Sequence, residues 1–389
     1  SLVLLPSLRG ASQIPADRVI TREAIAPKGQ YYDVTVPNTL DLAERAKLSV
    51  RGLTRFLNPA QNYAPYGQGF FNENPAFMSQ TEIGRGEPSW GKIAESLIKA
   101  QLMCGRTEEL EIEERMLKGM LQDKHIAQVS AGGPTATSRA LYALIALYQI
   151  SPSPDLRAQI EAWVKAHIDL AKTDGDASFY YDGPADPNYS YIWQAFIQGT
   201  AIRVLTEWYT VSGDQSALDM AGRLANHMKR SKYWAPEAEP RAMAGNEHGH
   251  FMGHHHSYVQ ALMGLLWYGE ASGDYNLKEF ARSGYEYMKC FGLPSLGAYG
   301  EMCTTGDMTQ LALKLCDTGM GDYWEDVDRY VRNHLTELQI THTSKLKTVV
   351  DQLAPHSREI NPVEETRDNV IERNIGIYLS DGTHPELIP

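Results

Sequence analysis

The chain has 389 residues, of which 43% are hydrophobic and 10% aromatic, enough to bury the core of one large domain or two ordinary ones. Its formal net charge is −12 and its Lys and Arg residues form no cluster, which excludes nucleic acid as a main partner because phosphate binding needs grouped cations. No apolar run is long enough to span a bilayer, and Cys104, Cys290, Cys303 and Cys316 match neither a disulfide scaffold nor a paired CxxC zinc site.

In chain order, residues 1–38 read as an N-terminal extension. Their start, SLVLLPSLRGASQ, is apolar and then small and polar, like the remnant of a signal peptide. That points to a periplasmic or extracellular protein and leaves a cytoplasmic one open. Nothing in the pattern indicates an oligomeric state. From residue 39 onward, helical periodicity dominates. Apolar stripes predict helices over 39–56, 90–104, 108–121, 134–148, 156–171, 191–211, 216–229, 255–271, 277–290, 302–316 and 323–338. Alternating strand patterns are scarce, and only 375–379 reads as a strand. The expected class is therefore all-α, with few or no strands.

The helices pair through similar junctions at Gly213-Asp214, Gly273-Asp274 and Gly321-Asp322. In each, the Asp is expected to cap the following helix, and the Gly to supply the conformation that ends the preceding one. Repeated helical hairpins stack into a solenoid or close into a toroid. Six of them closing on themselves would make residues 39–389 an (α/α)6-barrel catalytic domain.

Chemistry-bearing residues gather in the loops and at the helix starts. Trp90 opens one helix, and Tyr191 and Trp193 follow an aromatic loop. Such rings stack on the C–H faces of sugars or anchor a loop. The run GNEHGHFMGHHHSY carries Glu247 and five histidines, among them His254, His255 and His256. Histidines at this density can hold a metal or sugar hydroxyls, or simply bond backbone and water. Further on, Tyr299 precedes Glu301-x-Cys303. A carboxylate and a thiol two residues apart can share one small site. The plainer alternative is a helix N-terminus, where Glu301 favours the dipole and Cys303 is a small apolar residue.

Glu301, Cys303, Thr305, Met308 and Leu311, followed by Tyr323, Arg329, Asn333, His334 and Leu335, resemble the β-L-arabinofuranosidase-like glycoside hydrolases, family 127 and its relatives. Upstream, Gly199, Tyr209, Gly213, Asp214, Arg223 and His227 are similar to the same family, and His254 falls at its substrate-contacting His. The resemblance covers roughly residues 190–340, with weaker matches at Trp90, Lys92 and Glu95.

The resemblance implies an (α/α)6 barrel and an exo-acting, retaining glycosidase. Its substrate would be a terminal sugar of a polysaccharide or glycan, an L-arabinofuranoside or a related acidic pentose. It further implies a zinc ion held by one Glu and three Cys, one Cys serving as nucleophile, with a separate Glu as acid/base. Glu301 and Cys303 would supply two of the zinc ligands. The family's other two cysteines form an adjacent pair downstream, which is expected beyond Pro389. No carboxylate stands in the Gly-rich loop before Glu301, and Glu286 is the nearest candidate for the acid/base. Asp307 replaces a family Asn, and Thr200 a family His. Two alternatives stand beside the hydrolase. One is a polysaccharide lyase or sugar epimerase that uses His and Tyr as base and acid, and the other is a non-catalytic glycan-binding relative.

Overall fold

The computed structural model describes residues 40–80, 89–105, 109–122, 135–180, 190–230, 233–234, 254–355 and 358–379. The extension expected over 1–38 lies outside them. The protein is all-α, and every helix expected from periodicity is present. These are α1 (Leu42–Arg55), α2 (Ser89–Met103), α3 (Leu110–Gln122), α4 (Thr135–Ile150), α5 (Pro154–Leu170) and α6 (Ser190–Ser212). They continue as α7 (Gln215–Met228), α8 (His255–Ser272), α9 (Tyr275–Lys289), α10 (Met302–Asp317) and α11 (Trp324–Tyr330). Two short helices, α12 (Ser344–Gln352) and α13 (Val370–Arg373), follow.

The long helices form two rows. In the inner row α1 packs on α2, α2 on α4, α4 on α6, α6 on α8 and α8 on α10. The outer helices α3, α5, α7, α9 and α11 each pack on the inner helix that precedes them. Composition decides the row. In α8 nearly every residue from Ser257 to Leu266 is buried, so it is covered on all sides. In α9 only a stripe is buried, including Leu277, Phe280, Ala281, Gly284, Tyr285 and Met288. Helices α6 and α8 come closest because glycines face each other. A Cβ on Gly199 would lie 2.4 Å from the Ala261 Cα, and one on Gly264 would lie 2.4 Å from the Gly199 carbonyl oxygen.

Two of the three Gly-Asp junctions fold as expected. Gly213 and Gly273 take left-handed backbone angles, φ 76° and 77°. Asp214 accepts from the Ser216 N–H at 3.0 Å and Asp274 from the Leu277 N–H at 3.2 Å. The third differs. The left-handed residue that ends α10 is Gly319, Tyr323 occupies the cap position of α11, and Asp322 accepts only a 3.3 Å bond from the Trp324 N–H. Met320 and Gly321 separate this left-handed residue from Asp322, so the chain turns earlier than the sequence pattern implied. The helix expected over 323–338 also changes character at Val331–Leu335, which forms a π-helical turn.

Among the described residues, three small antiparallel sheets edge the helices: β1 (Leu57–Asn58) with β2 (Ala64–Pro65), β3 (Gln68–Phe70) with β4 (Phe77–Ser79) and β7 (Glu365–Thr366), and β5 (Lys172–Asp174) with β6 (Ala177–Phe179). The strand expected over 375–379 is absent. The chain leaves α13 through a turn with Gly376 at φ 96°, its backbone pressed against the Leu48 carbonyl, and only Tyr378 bridges to Gln339. Gln339 ties this segment to α1, donating to the Arg45 carbonyl at 3.0 Å and to Ser49 Oγ at 2.9 Å.

Candidate functional site

The site forms where two inner-row helices begin. Glu301 holds the cap position of α10 in an extended conformation, but its carboxylate does not cap its own helix. It reaches across to α8 and accepts the His255 N–H on Oε2 and the His256 N–H on Oε1, each at 3.0 Å. These N–H groups belong to the first turn of α8 and have no partner within that helix. One carboxylate therefore satisfies the donors of a neighbouring helix and sits at its positive dipole end. His254 Nε2 approaches Glu301 Oε1 at 2.8 Å, His255 Nδ1 approaches Oε2 at 3.8 Å, and the Cys303 thiol donates to Oε1 at 3.6 Å. Partial burial pushes the Glu301 pKa up, but His254 and the two backbone N–H groups outweigh it and hold it down at about 2. Burial also lowers the pKa of His255, against the opposing pull of Glu301.

His254 Nε2, a Glu301 oxygen and Cys303 Sγ all lie within 4.8 Å of one another, a triad able to hold a metal ion. The sequence paired Glu301 with Cys303 and gave His254 a substrate contact; the fold adds His254 to the ligand set. His254 is oriented from behind by Ser257 Oγ, 2.8 Å from its Nδ1.

One turn deeper, His256 Nδ1 bonds Asp307 Oδ2, and Gln260 Nε2 donates to Asp307 Oδ1 at 2.8 Å. A ring nitrogen facing a carboxylate carries its hydrogen there, so Nε2 of His256 is left for other partners. The Phe196 ring of α6 stands 5.3 Å from the His256 ring, and the Arg139 guanidinium of α4 lies 5.3 Å over Phe196. Asp307 stood in the sequence only as a replacement for Asn. Phe196, Gln260 and Arg139 carried no sequence signal, because each falls within an apolar helical run. Thr305 Oγ1 pairs with His334 Nδ1 at 2.7 Å, which links α10 to the π turn.

Other expected site residues lie apart from this cluster. Tyr299 is buried, and its hydroxyl meets the Tyr330 hydroxyl at 3.2 Å rather than the triad. It belongs to a network in which Tyr285 and Lys289 each donate to Asp326 Oδ2 at 2.8 Å. Glu286 is one residue past the buried Tyr285, so helical rotation turns it outward, 3.7 Å from Lys289 and beside Tyr323 and Arg282. Trp90 packs on the α2–α3 hairpin, where a Cβ on Gly119 would come within 2.9 Å of its ring. Tyr191 and Trp193 fall in the first turn of α6, and their side chains lie outside the described residues, as does Glu247. Among the described residues, no helix is long and apolar enough to cross a membrane. Compared with known families and curated proteins, the chain matches no family model and no curated sequence.

Proposed function

We propose that this chain is a glycoside hydrolase that removes a terminal sugar from a polysaccharide or glycan. An L-arabinofuranoside-like sugar or an acidic pentose is the first substrate class to test. In this reading the two helical rows close into an (α/α)6 barrel, with the triad at its mouth. The observation that carries the proposal is the meeting of His254, Glu301 and Cys303 at two inner-helix N-termini. The motif around Glu301-x-Cys303, with its resemblance to arabinofuranosidase-like enzymes, supports it from the sequence side.

The triad's donor set of nitrogen, oxygen and sulfur suits zinc. Tetrahedral zinc with bonds of about 2.0–2.3 Å keeps its ligand atoms roughly 3.3–3.8 Å apart. Glu301 Oε1 lies 3.6 Å from Cys303 Sγ, within that range, and 2.8 Å from His254 Nε2, a hydrogen-bond separation that would open by about half an ångström around an ion. The α8 N–H groups fix the carboxylate from behind, as outer-shell partners do. When bound, zinc would keep the Cys303 sulfur deprotonated.

The remaining roles fall to this chain's own groups. Glu301, held ionised with a pKa near 2, has no proton to give at neutral pH. Proton transfer then rests on His256. Asp307 orients its ring through Nδ1, and Nε2 is the atom that would protonate the leaving oxygen and later take a proton from water. The buried Phe196 ring packs beside it and helps to hold the imidazole in place.

The test is turnover of a panel of p-nitrophenyl glycosides, with metal content measured in parallel. Glu301→Gln should lower kcat/KM by about a hundredfold or more and release the metal. Unchanged kcat/KM and metal content in that variant would sink the assignment. The His256–Asp307 pair also favours a second reading, a lyase that abstracts a proton beside a carboxylate without thiol or metal. An ultraviolet absorbance rise from an unsaturated uronate, insensitive to chelator, would select it.

A further inference from the structure

The loop that leads into the site keeps apolar side chains in water. Phe291, Leu293 and Leu296 stand between α9 and α10, and they are 38%, 58% and 53% exposed. Single exposed apolar residues are ordinary, but three within the six positions 291–296 are a local feature. The loop is not slack. Leu293 donates to the Ala298 carbonyl at 2.8 Å and Gly297 to the Leu293 carbonyl at 2.8 Å, which closes a tight turn. Arg329 of α11 braces that turn, donating from Nη1 to the Pro294 carbonyl at 3.0 Å. The backbone is thus held in place while its apolar side chains stay partly uncovered.

Phe291 is the member of this group that touches the site. Its ring lies 4.8 Å from the His255 ring, tilted by 46°, and the Tyr287 ring meets it edge-on at 5.1 Å. His255 in turn brings Nδ1 to 3.8 Å from Glu301 Oε2. His254 and Cys303 approach the same carboxylate through its other oxygen, Oε1. Phe291 therefore sits one ring away from Glu301, past His255. The side chains of His254 and His255 are 42% and 23% exposed, so solvent reaches the triad and the histidine that joins it to Phe291. A sugar ring has an apolar C–H face and a polar edge. This surface has the same division, an aromatic ring with an imidazole and a carboxylate beside it. Three apolar side chains are too few for a stable protein interface, which buries about 800 Å² on each partner. The Glu301 charge disfavours an anion.

Building on the glycosidase reading, we infer that Phe291, with His255 at its edge, is the subsite for the second sugar of the chain, the one that leaves. The terminal sugar lies at His254, Glu301 and Cys303, and the Phe291 ring stacks on the C–H face of the next one. A ring held by a braced loop loses little freedom on binding, so more of the stacking energy appears as affinity.

The test is retardation of the full chain in native gels that contain soluble arabinan, arabinoxylan or arabinogalactan, against gels that contain none. At least one of the three should retard the unaltered chain. Phe291→Ala should weaken that binding about three- to tenfold, the range of one aromatic stacking contact. Phe291→Leu, which keeps apolar bulk but lacks a ring, should weaken it as much, and it carries the comparison should Phe291→Ala fail to fold. Phe291→Trp should keep the affinity or raise it. It also gives a readout that a purely structural role would not move, because the bound polysaccharide should change its indole emission relative to that of the unaltered chain. Retardation by none of the three polysaccharides overturns the subsite. So does full affinity in Phe291→Leu, or emission from Phe291→Trp that stays the same at saturating polysaccharide. Turnover separates this from the reading beneath it. Cleavage of the polysaccharide with kcat/KM unchanged in Phe291→Leu ends the subsite and keeps the hydrolase. Ring-dependent binding without any cleavage keeps Phe291 as a sugar platform and ends the hydrolase.

Discussion

Glu301 shows how a single residue can serve the fold and the site through one property, its charge. Its oxygens accept two helix N–H groups while lying against His254 and Cys303. The pKa sets the pH window in which that contribution exists. The carboxyl titrates near 2 in the folded chain against 4.5 ordinarily, so its contribution is complete above pH 4.5 and fades as pH falls toward 2. The difference in urea midpoint between the unaltered chain and Glu301→Gln should therefore shrink steadily between pH 5 and pH 2. A difference independent of pH would show that the ionised form is not what holds α8. Two histidines act earlier. Burial lowers the pKa of both His255 and His334 below 6.5. The unfolded chain then binds protons first, and stability should begin to decline as pH drops below 6.5. Replacing His334 with Gln should flatten that first decline, measured as the unfolding midpoint between pH 7 and 5.

At the scale of elements, caps and close approaches can be ranked. Asp274→Ala removes the side-chain bond to the Leu277 N–H and should cost about 1 kcal/mol in denaturant unfolding. Asp214→Ala, which loses the bond to the Ser216 N–H, should cost about as much. Asp322→Ala should cost much less, because Tyr323 holds the cap position and the bond from Trp324 is long. An equal loss at all three would mean that the third junction is capped like the others. The hairpins were legible in the sequence because their outer helices carry a clear apolar stripe and their turns carry Gly and Asp. The inner packing was not legible. Gly199 and Gly264 look like ordinary helix interruptions, and only the fold shows that each admits the other helix's backbone. Gly199→Ala should cost roughly 1–3 kcal/mol, since the added methyl meets backbone rather than a flexible side chain. The site was legible in part for a related reason. Glu301-x-Cys303 lies within one short segment, whereas His254 and Asp307 reach it through the packing of α8 against α10, which local pattern does not encode.

Across the whole molecule, the inner row carries charge where apolar packing would be the default. From the His254–Glu301 cluster inward, α8 presents His256, Gln260, Met263 and Trp267, and α10 presents Asp307, Gln310 and Lys314, each set at helical spacing. Arg203 of α6 joins them, bonded to Gln310, in contact with the Met263 sulfur and stacked on Trp267. Burial works against its charge, and Glu207 prevails, keeping the guanidinium firmly protonated. Lys314, over the same Trp267 ring, shows the opposite balance, with burial lowering its pKa. A seam of this kind costs desolvation, and it holds only while each charge keeps its partner. That makes it distinguishable from decoration. Glu207→Gln removes the carboxylate opposite a guanidinium whose side chain is 5% exposed, and should destabilise the chain by about 3 kcal/mol. Arg157→Ala breaks an ion pair with the same 2.8-Å-class contact, at 2.7 Å, but with side chains 44% and 48% exposed, and should cost no more than about 1 kcal/mol. Glu207→Gln combined with Arg203→Met should recover much of the loss, because a neutral side chain of similar length removes the stranded charge. Urea unfolding of the three variants decides the matter: if the double variant is no more stable than Glu207→Gln alone, the penalty comes from lost packing, and the seam is not held by charge pairing.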